Sequence, residues 1–291
     1  MRAARTPNWE TIMNQWCAII AGCCCALSAA HGQSNDNNED EAPFINEQKS
    51  RLFWKPAPID EPLVTDRPDF TESTDAVPLG RFQFEGGYTF THDGGTDTHQ
   101  APELLLRVGV FEGVELRIGW PNFTSQDADS GIPDVDGLED LSLGVKVKLI
   151  EQDGAIPHFG VIGEISIPTG ADDLSSGDVD PAIKLLWAYD INDRLSLGGN
   201  VNFASLTENN DRFFQVAASV ALGVSITERV GAYIEYFGEF PMSDGGGPAH
   251  YLNGGATYLI TNNFQLDARL GFGLNGRADD LFTGAGFAIR F

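Results

Sequence analysis

Ionisable residues of both signs recur along this sequence, each set between apolar or small neighbours: Glu85, Arg107, Glu115, Arg117, Lys146, Lys148, Glu164, Lys184, Glu235, Asp267 and Arg269. In an extended chain, successive side chains point to opposite faces. These residues therefore share one face of their strands while their neighbours share the other. Mixed charges on one enclosed face suit ion pairing across a confined space and the lining of a solute path. They do not suit catalysis. No Gly-x-Ser-x-Gly elbow occurs, and His92, His99, His158 and His250 stand in no recognisable arrangement with a serine. No catalytic residue is assigned, a lipid-active Ser–His enzyme being the minor alternative. The acidic stretch 127–140 fails the calcium-loop spacing, with Gly131 at its fifth position and Leu138 at its twelfth. No metal and no cofactor is expected.

The elements that must position these charges are strands. Alternating segments run near 82–91, 102–110, 114–120, 140–150, 158–167, 181–189, 195–204, 213–226, 230–240, 250–260, 264–274 and 281–291. Connections near 92–101, 121–139, 168–180, 205–212, 241–249 and 275–280 form a longer set, and those near 111–113, 151–157, 190–194, 227–229 and 261–263 a shorter one. Long loops on one side and short turns on the other predict an all-β, antiparallel transmembrane barrel of about 12 strands. Related turns at Ile191–Leu195, Ile226–Val230 and Ile260–Phe264 recur every two strands. A propeller or solenoid can share such a period.

The opposite faces test the reading. Phe82, Phe84, Tyr88 and Phe90, then Leu104, Leu106, Val108 and Val110, share a side with no charge, as do Leu141, Leu143, Val145 and Val147. A lysine or arginine facing lipid at mid-bilayer costs about 2–4 kcal/mol, so this sorting is what a membrane barrel requires. A soluble sandwich also alternates, but its charged face meets bulk water. Twelve strands lie between the filled eight-stranded barrel and the open sixteen-stranded pore, which predicts a narrow or partly plugged lumen.

The ends of the chain carry separate signals. Arg2 and Arg5 precede an apolar stretch from Trp16 to Ala30, a signal peptide over 1–32; Ile20-Ala21-Gly22-Cys23 offers a lipoprotein alternative. All four cysteines fall within that stretch, so no disulfide framework is expected beyond it. Residues 33–62 read as a polar linker, 63–80 as a lead-in or lumen segment, and 81–291 as the barrel. A net charge of −24 argues against nucleic acid. The last strand ends on Phe291 and resembles the terminal strand of bacterial outer-membrane proteins, which implies an assembly signal and barrel-assembly machinery as a partner, alongside outer-membrane lipid.

The run Val64-Thr-Asp66-Arg67-Pro68-Asp-Phe70-Thr-Glu72-Ser73, then Val77-Pro78-Leu79-Gly80 and Gln83-Phe-Glu85-Gly86, resembles the opening of the MetA-pathway of phenol degradation family. The strand Gly144-Val-Lys146-Val-Lys148 and the terminal strand are also similar. The resemblance spans residues 63 to 291 and implies an outer-membrane barrel passing small, possibly aromatic, permeants. It carries no established site residues. On the residues themselves, 63–80 is too polar and too broken by proline to face lipid. Either it folds into the lumen, with Asp66 and Arg67 meeting inner-face ions, or it leads into the first strand from the periplasm. A structural or adhesive barrel without transport is the other reading of the whole chain.

Overall fold

The computed structural model describes residues 56–128, 134–208, 210–243 and 246–291. The expected signal peptide, the cysteines, most of the linker and Asp129 lie outside the described residues. The strands are β1 (Phe82–Asp93), β2 (Thr96–Ala101), β3 (Leu105–Phe111), β4 (Val114–Gly119), β5 (Phe123–Ala128), β6 (Val135–Leu138), β7 (Leu141–Ile150), β8 (His158–Ile167), β9 (Asp180–Asn192), β10 (Leu195–Glu208), β11 (Asp211–Ser225), β12 (Val230–Pro241), β13 (Ala249–Thr261), β14 (Phe264–Gly273) and β15 (Leu281–Arg290). Three pairs are halves of single staves: β2 with β3, β4 with β5, and β6 with β7. The wall is therefore a closed antiparallel barrel of twelve staves in chain order, sealed by β1 against β15 from Gln83↔Arg290 to His92↔Leu281.

Two connections expected to be long are tight. Gly94 and Gly95 adopt φ of 54° and 95°, the geometry of a two-residue hairpin turn, so β1 and β2 pair up to Asp93↔Thr96. Asn210, at φ 67°, similarly lets β10 and β11 run to Glu208↔Asp211. Residues 121–139 are also mostly strand, in β5 and β6. Polar composition hid them, because these stretches extend the staves beyond the apolar band. The extension places His92, Asp97 and Arg212 at outward register positions near the loop end, and His92 pairs with Asp97 at 2.6 Å.

Alternation sorts the wall as expected along its middle. Leu116, Leu143, Val145, Ile183, Leu185, Leu222, Ile234, Leu252, Leu266 and Leu270 are exposed on the outside. Arg107, Glu115, Lys146 and Glu235 are buried inside. The inner face is not purely polar, however. Ile162, Leu186, Phe237, Tyr251 and Phe282 are buried there too. At the seam, the Phe291 backbone N–H donates to the Phe82 carbonyl at 2.8 Å.

A ring sealed by an unbroken ladder resists detergent until it is heated. The protein is expected to migrate faster unheated than boiled on a denaturing gel; identical mobility of the two samples contradicts the closed barrel.

Candidate functional site: an occupied lumen

Residues 56–80 form no strand; 56–62 lie largely exposed at the short-turn end, and the chain from Leu63 enters the ring of staves. The segment is tied to the short-turn end, where the Leu63 N–H donates to the Asn262 carbonyl at 2.7 Å and the Arg290 guanidinium donates to the Glu61 carbonyl at 2.6 Å. It crosses the lumen and returns, where the Gly80 N–H donates to the Gly109 carbonyl at 2.8 Å. Between these ties it meets charges from most of the ring.

Arg107 sits at the centre of one side. Its Nε donates to Glu115, one Nη to Glu85 and the Val64 carbonyl, and the other Nη to Glu115 and the Asp75 carbonyl, at 2.8–3.1 Å. All five guanidinium donors are used, so its complete burial leaves none of them without a partner. Asp66 accepts from Lys146 through both oxygens at 2.8 Å, and Arg117 bridges Asp66 and Glu115. The second Nη of Arg117 reaches Glu72, which also accepts from Lys184 at 2.6 Å; Lys184 in turn lies 3.3 Å from Glu164. Lys148 pairs with Asp75 at 3.0 Å, and the Val77 N–H donates to Glu115 at 2.7 Å. Removing a charge from water is costly unless opposite charges and hydrogen bonds replace the solvent. Every member of this cluster has opposite charges in contact, although the buried Nε of Arg117 has no hydrogen-bond partner among the described residues.

The opposite wall holds the tip. Glu235 accepts from the N–H groups of Phe70 and Thr71 at 2.9 and 2.7 Å. Arg67 pairs with Glu103 at 2.6 Å and reaches Asp267 at 3.4 Å, while Arg269 donates to the Pro68 carbonyl at 2.9 Å. A side chain at Gly87 or at its register partner Gly286 would occupy the space of the Arg67 guanidinium. These two glycines, one on the first stave and one on the last, thus make a slot for one arginine.

The charges singled out in the sequence all stand on the inner face, and all except Glu164, which acts through Lys184, touch residues 63–80. Two further contributors join them. Glu103 stands at the edge of the alternating run near 102–110, on the side of Arg107. The register changes from Thr89↔Gln100 to Glu85↔Leu105, and the extra residue puts Glu103 at φ 47°, aimed at Arg67. Bulges characteristically re-aim a side chain in this way. Glu139 lies in the gap between β6 and β7, where Gln100, Asn122 and Thr124 donate to it at 2.5–3.1 Å. The helpful cue was available at Pro102 and Pro121, since proline interrupts ladder pairing.

Two polar cavities remain, of which the first is lined in part by the segment. One of about 370 Å³ lies where the second to fourth staves are interrupted, bounded by Asp66, Arg67, Asp69, Glu103, Leu104, Trp120 and Asp140. The other, of about 320 Å³, is lined by Thr98, Gln100, Thr124, Gln126, Glu139 and Ser176, on the loop side of the first. Among the described residues no cluster of His, Cys, Asp and Glu has the geometry of a metal site.

The model of the family described as MetA-pathway of phenol degradation matches residues 65–291. The chain belongs to this family. Its match begins inside the lumen segment and takes in every stave. Among solved structures, an outer membrane channel from Pseudomonas putida F1 is similar over 75% of this chain and 98% of its own, at 16% identity and a TM-score of 0.56. The NanC porin covers 72% and 98% at 12% identity and a TM-score of 0.49. The first of these likenesses supports the fold. No curated protein sequence matches the chain.

Asp66 joins the segment to three cations at once: Lys146, Arg117 and, at 3.4 Å, Arg107. Asp66→Asn leaves Lys146 and Arg117 short of a counter-charge in a buried site, a change typically worth about 3–5 kcal/mol. Proteinase K is expected to cut residues 63–80 faster in this variant while the barrel keeps its unheated gel mobility. Equal cleavage of variant and parent shows that the pairing does not hold the segment.

Proposed function

We propose that the protein is a channel of a Gram-negative-type outer membrane for small, apolar or aromatic compounds, closed in part by its own residues 63–80. The carrying observation is that the lumen is filled by a chain segment which, apart from its covalent run into β1, meets the wall through ion pairs, hydrogen bonds and ring contacts. Side chains fill a barrel of eight strands; one of twelve has room for more. Here the extra room holds a separable segment and two cavities. The wider cavity combines acidic groups with Leu104 and Trp120 at a place where the wall loses strand pairing, which suits a solute with an apolar body. The family's description and the channel-like relative support the class of function. The signal-like N-terminus supports export.

Glu85, Arg107, Glu115, Arg117, Lys146, Lys148, Glu164, Lys184, Glu235, Asp267 and Arg269, with Asp66 and Arg67, line the path in this reading and hold the segment in it. A rival reading, a structural barrel with a permanently filled lumen, draws support from the complete burial of Arg107 and Glu115. Planar bilayer recording separates the two. Deletion of 63–80, and to a smaller degree Arg67→Ala, is expected to raise single-channel conductance in correctly inserted protein. Conductance equal to that of the parent sinks the plug and favours the structural reading.

Phe291 is proposed as the signal read by the barrel-assembly machinery. The ring is half exposed, and burying such a side chain fully contributes only about 1.5–3 kcal/mol. Its deletion is therefore expected to lower the amount of inserted barrel far more than it lowers the melting temperature of the folded fraction. A matched fall in both assigns Phe291 to stability alone.

A further inference from the structure

One part of the lumen is built from rings rather than charges. Phe237, Tyr251 and Phe282 project inward from β12, β13 and β15, and all three are buried. Phe237 and Tyr251 are register partners stacked at 4.5 Å with planes 13° apart. Phe282 lies at 6.2 and 6.1 Å from them, with Gly271 opposite it leaving room for its ring and the Arg269 guanidinium carbon 5.4 Å above its face. A wall needs none of this to span a membrane. The free face of Phe237 is covered by Phe70 of the lumen segment, at 4.5 Å and 1°. Phe70 is a guest on this shelf, because its own backbone belongs to the segment and not to the ladder.

We infer that the Phe237–Tyr251–Phe282 shelf is a binding seat for the aromatic ring of a small uncharged solute, and that Phe70 holds the seat in its absence. The inference rests on the channel reading above and adds to it a site and a competitor. Parallel rings in contact attract each other beyond what the area they bury supplies, and a saturated ring does not reproduce that geometry. Glu235 and Glu239 flank Phe237 on the same inner face, so an anionic solute is disfavoured. When a solute ring enters, the Phe70 ring leaves, while the ion pairs of Asp66, Arg67 and Glu72 keep the segment attached.

The test uses full-length protein folded in detergent, with p-cresol as probe and 4-methylcyclohexanol as its saturated counterpart. Phe70→Ala vacates the seat, so p-cresol is expected to bind at least tenfold more tightly to this variant than to the parent, by saturation-transfer NMR. Adding Phe237→Leu is expected to abolish the gain. In the parent sequence carrying 4-fluorophenylalanine at position 70, p-cresol is expected to shift the fluorine signal and 4-methylcyclohexanol to leave it in place. Equal cresol affinity in parent and Phe70→Ala, a gain that survives Phe237→Leu, or an equal response to both probes overturns the seat. Should Phe70→Ala not fold, the fluorine experiment decides alone. Binding requires no conductance. A barrel that binds cresol at this shelf yet never conducts refutes the channel and leaves the seat standing.

Discussion

A charge enclosed by a membrane barrel must find its counter-charge inside, and this constraint organises the protein. The outer faces meet lipid, so every ionisable group in the middle of the wall is driven inward. Once inside, Arg107, Arg117, Lys146 and Lys184 cannot be satisfied by Glu85, Glu115 and Glu164 alone. Asp66, Glu72 and Asp75 of the lumen segment supply further carboxylates, at 2.6–3.0 Å where the distances are shortest. The segment is thus part of the wall's electrostatic balance. Removing it leaves Arg107, Arg117, Lys146 and Lys184 short of the carboxylates that face them.

The two halves of the lumen handle the segment differently. The side formed by β1, β3, β4, β7 and β9 grips it with ion pairs, which are strong when desolvated and exacting in direction. The side formed by β12 to β15 offers flat rings, with Glu235 receiving two backbone N–H groups and Asp267 and Arg269 meeting Arg67 and the Pro68 carbonyl at its edge. Ionic contacts fix where the segment sits. Ring contacts depend mainly on surface and plane, so one aromatic group can stand in for another at little cost.

The sequence revealed the staves because lipid forces a period of two on their outer faces, and Val145, Lys146 and Val147 express that rule in three residues. It revealed the inner charges for the same reason. It did not reveal the full length of β1, β2, β5 and β6, since above the apolar band both faces are polar and alternation carries no signal. The spacing from Arg107 put Glu103 on the inner side, but its approach to Arg67 depends on a one-residue register change that the sequence did not show. The clustering of the apolar lumen residues was hidden by a different cause. Phe237 and Phe282 share the inner side with charged or small residues (Glu235 and Glu239, Gly284 and Gly286), so their parity was legible, but their meeting in one cluster follows only from the pairing Phe237↔Tyr251 and the ring contacts. For residues 63–80 the composition excluded lipid but left open lumen or lead-in; the partners that place the segment inside lie as far away as Glu235 and Asp267.

The slot that accepts Arg67 has one wall from Gly87 and the other from Gly286, on the first and last staves. Neither glycine makes it alone. It comes into being at the moment the two ends of the sheet meet, when almost the whole chain has been placed. The opening residues of the barrel's own sequence are therefore the last to find their seat, and a docked Arg67 is a chemical report that the ring has closed.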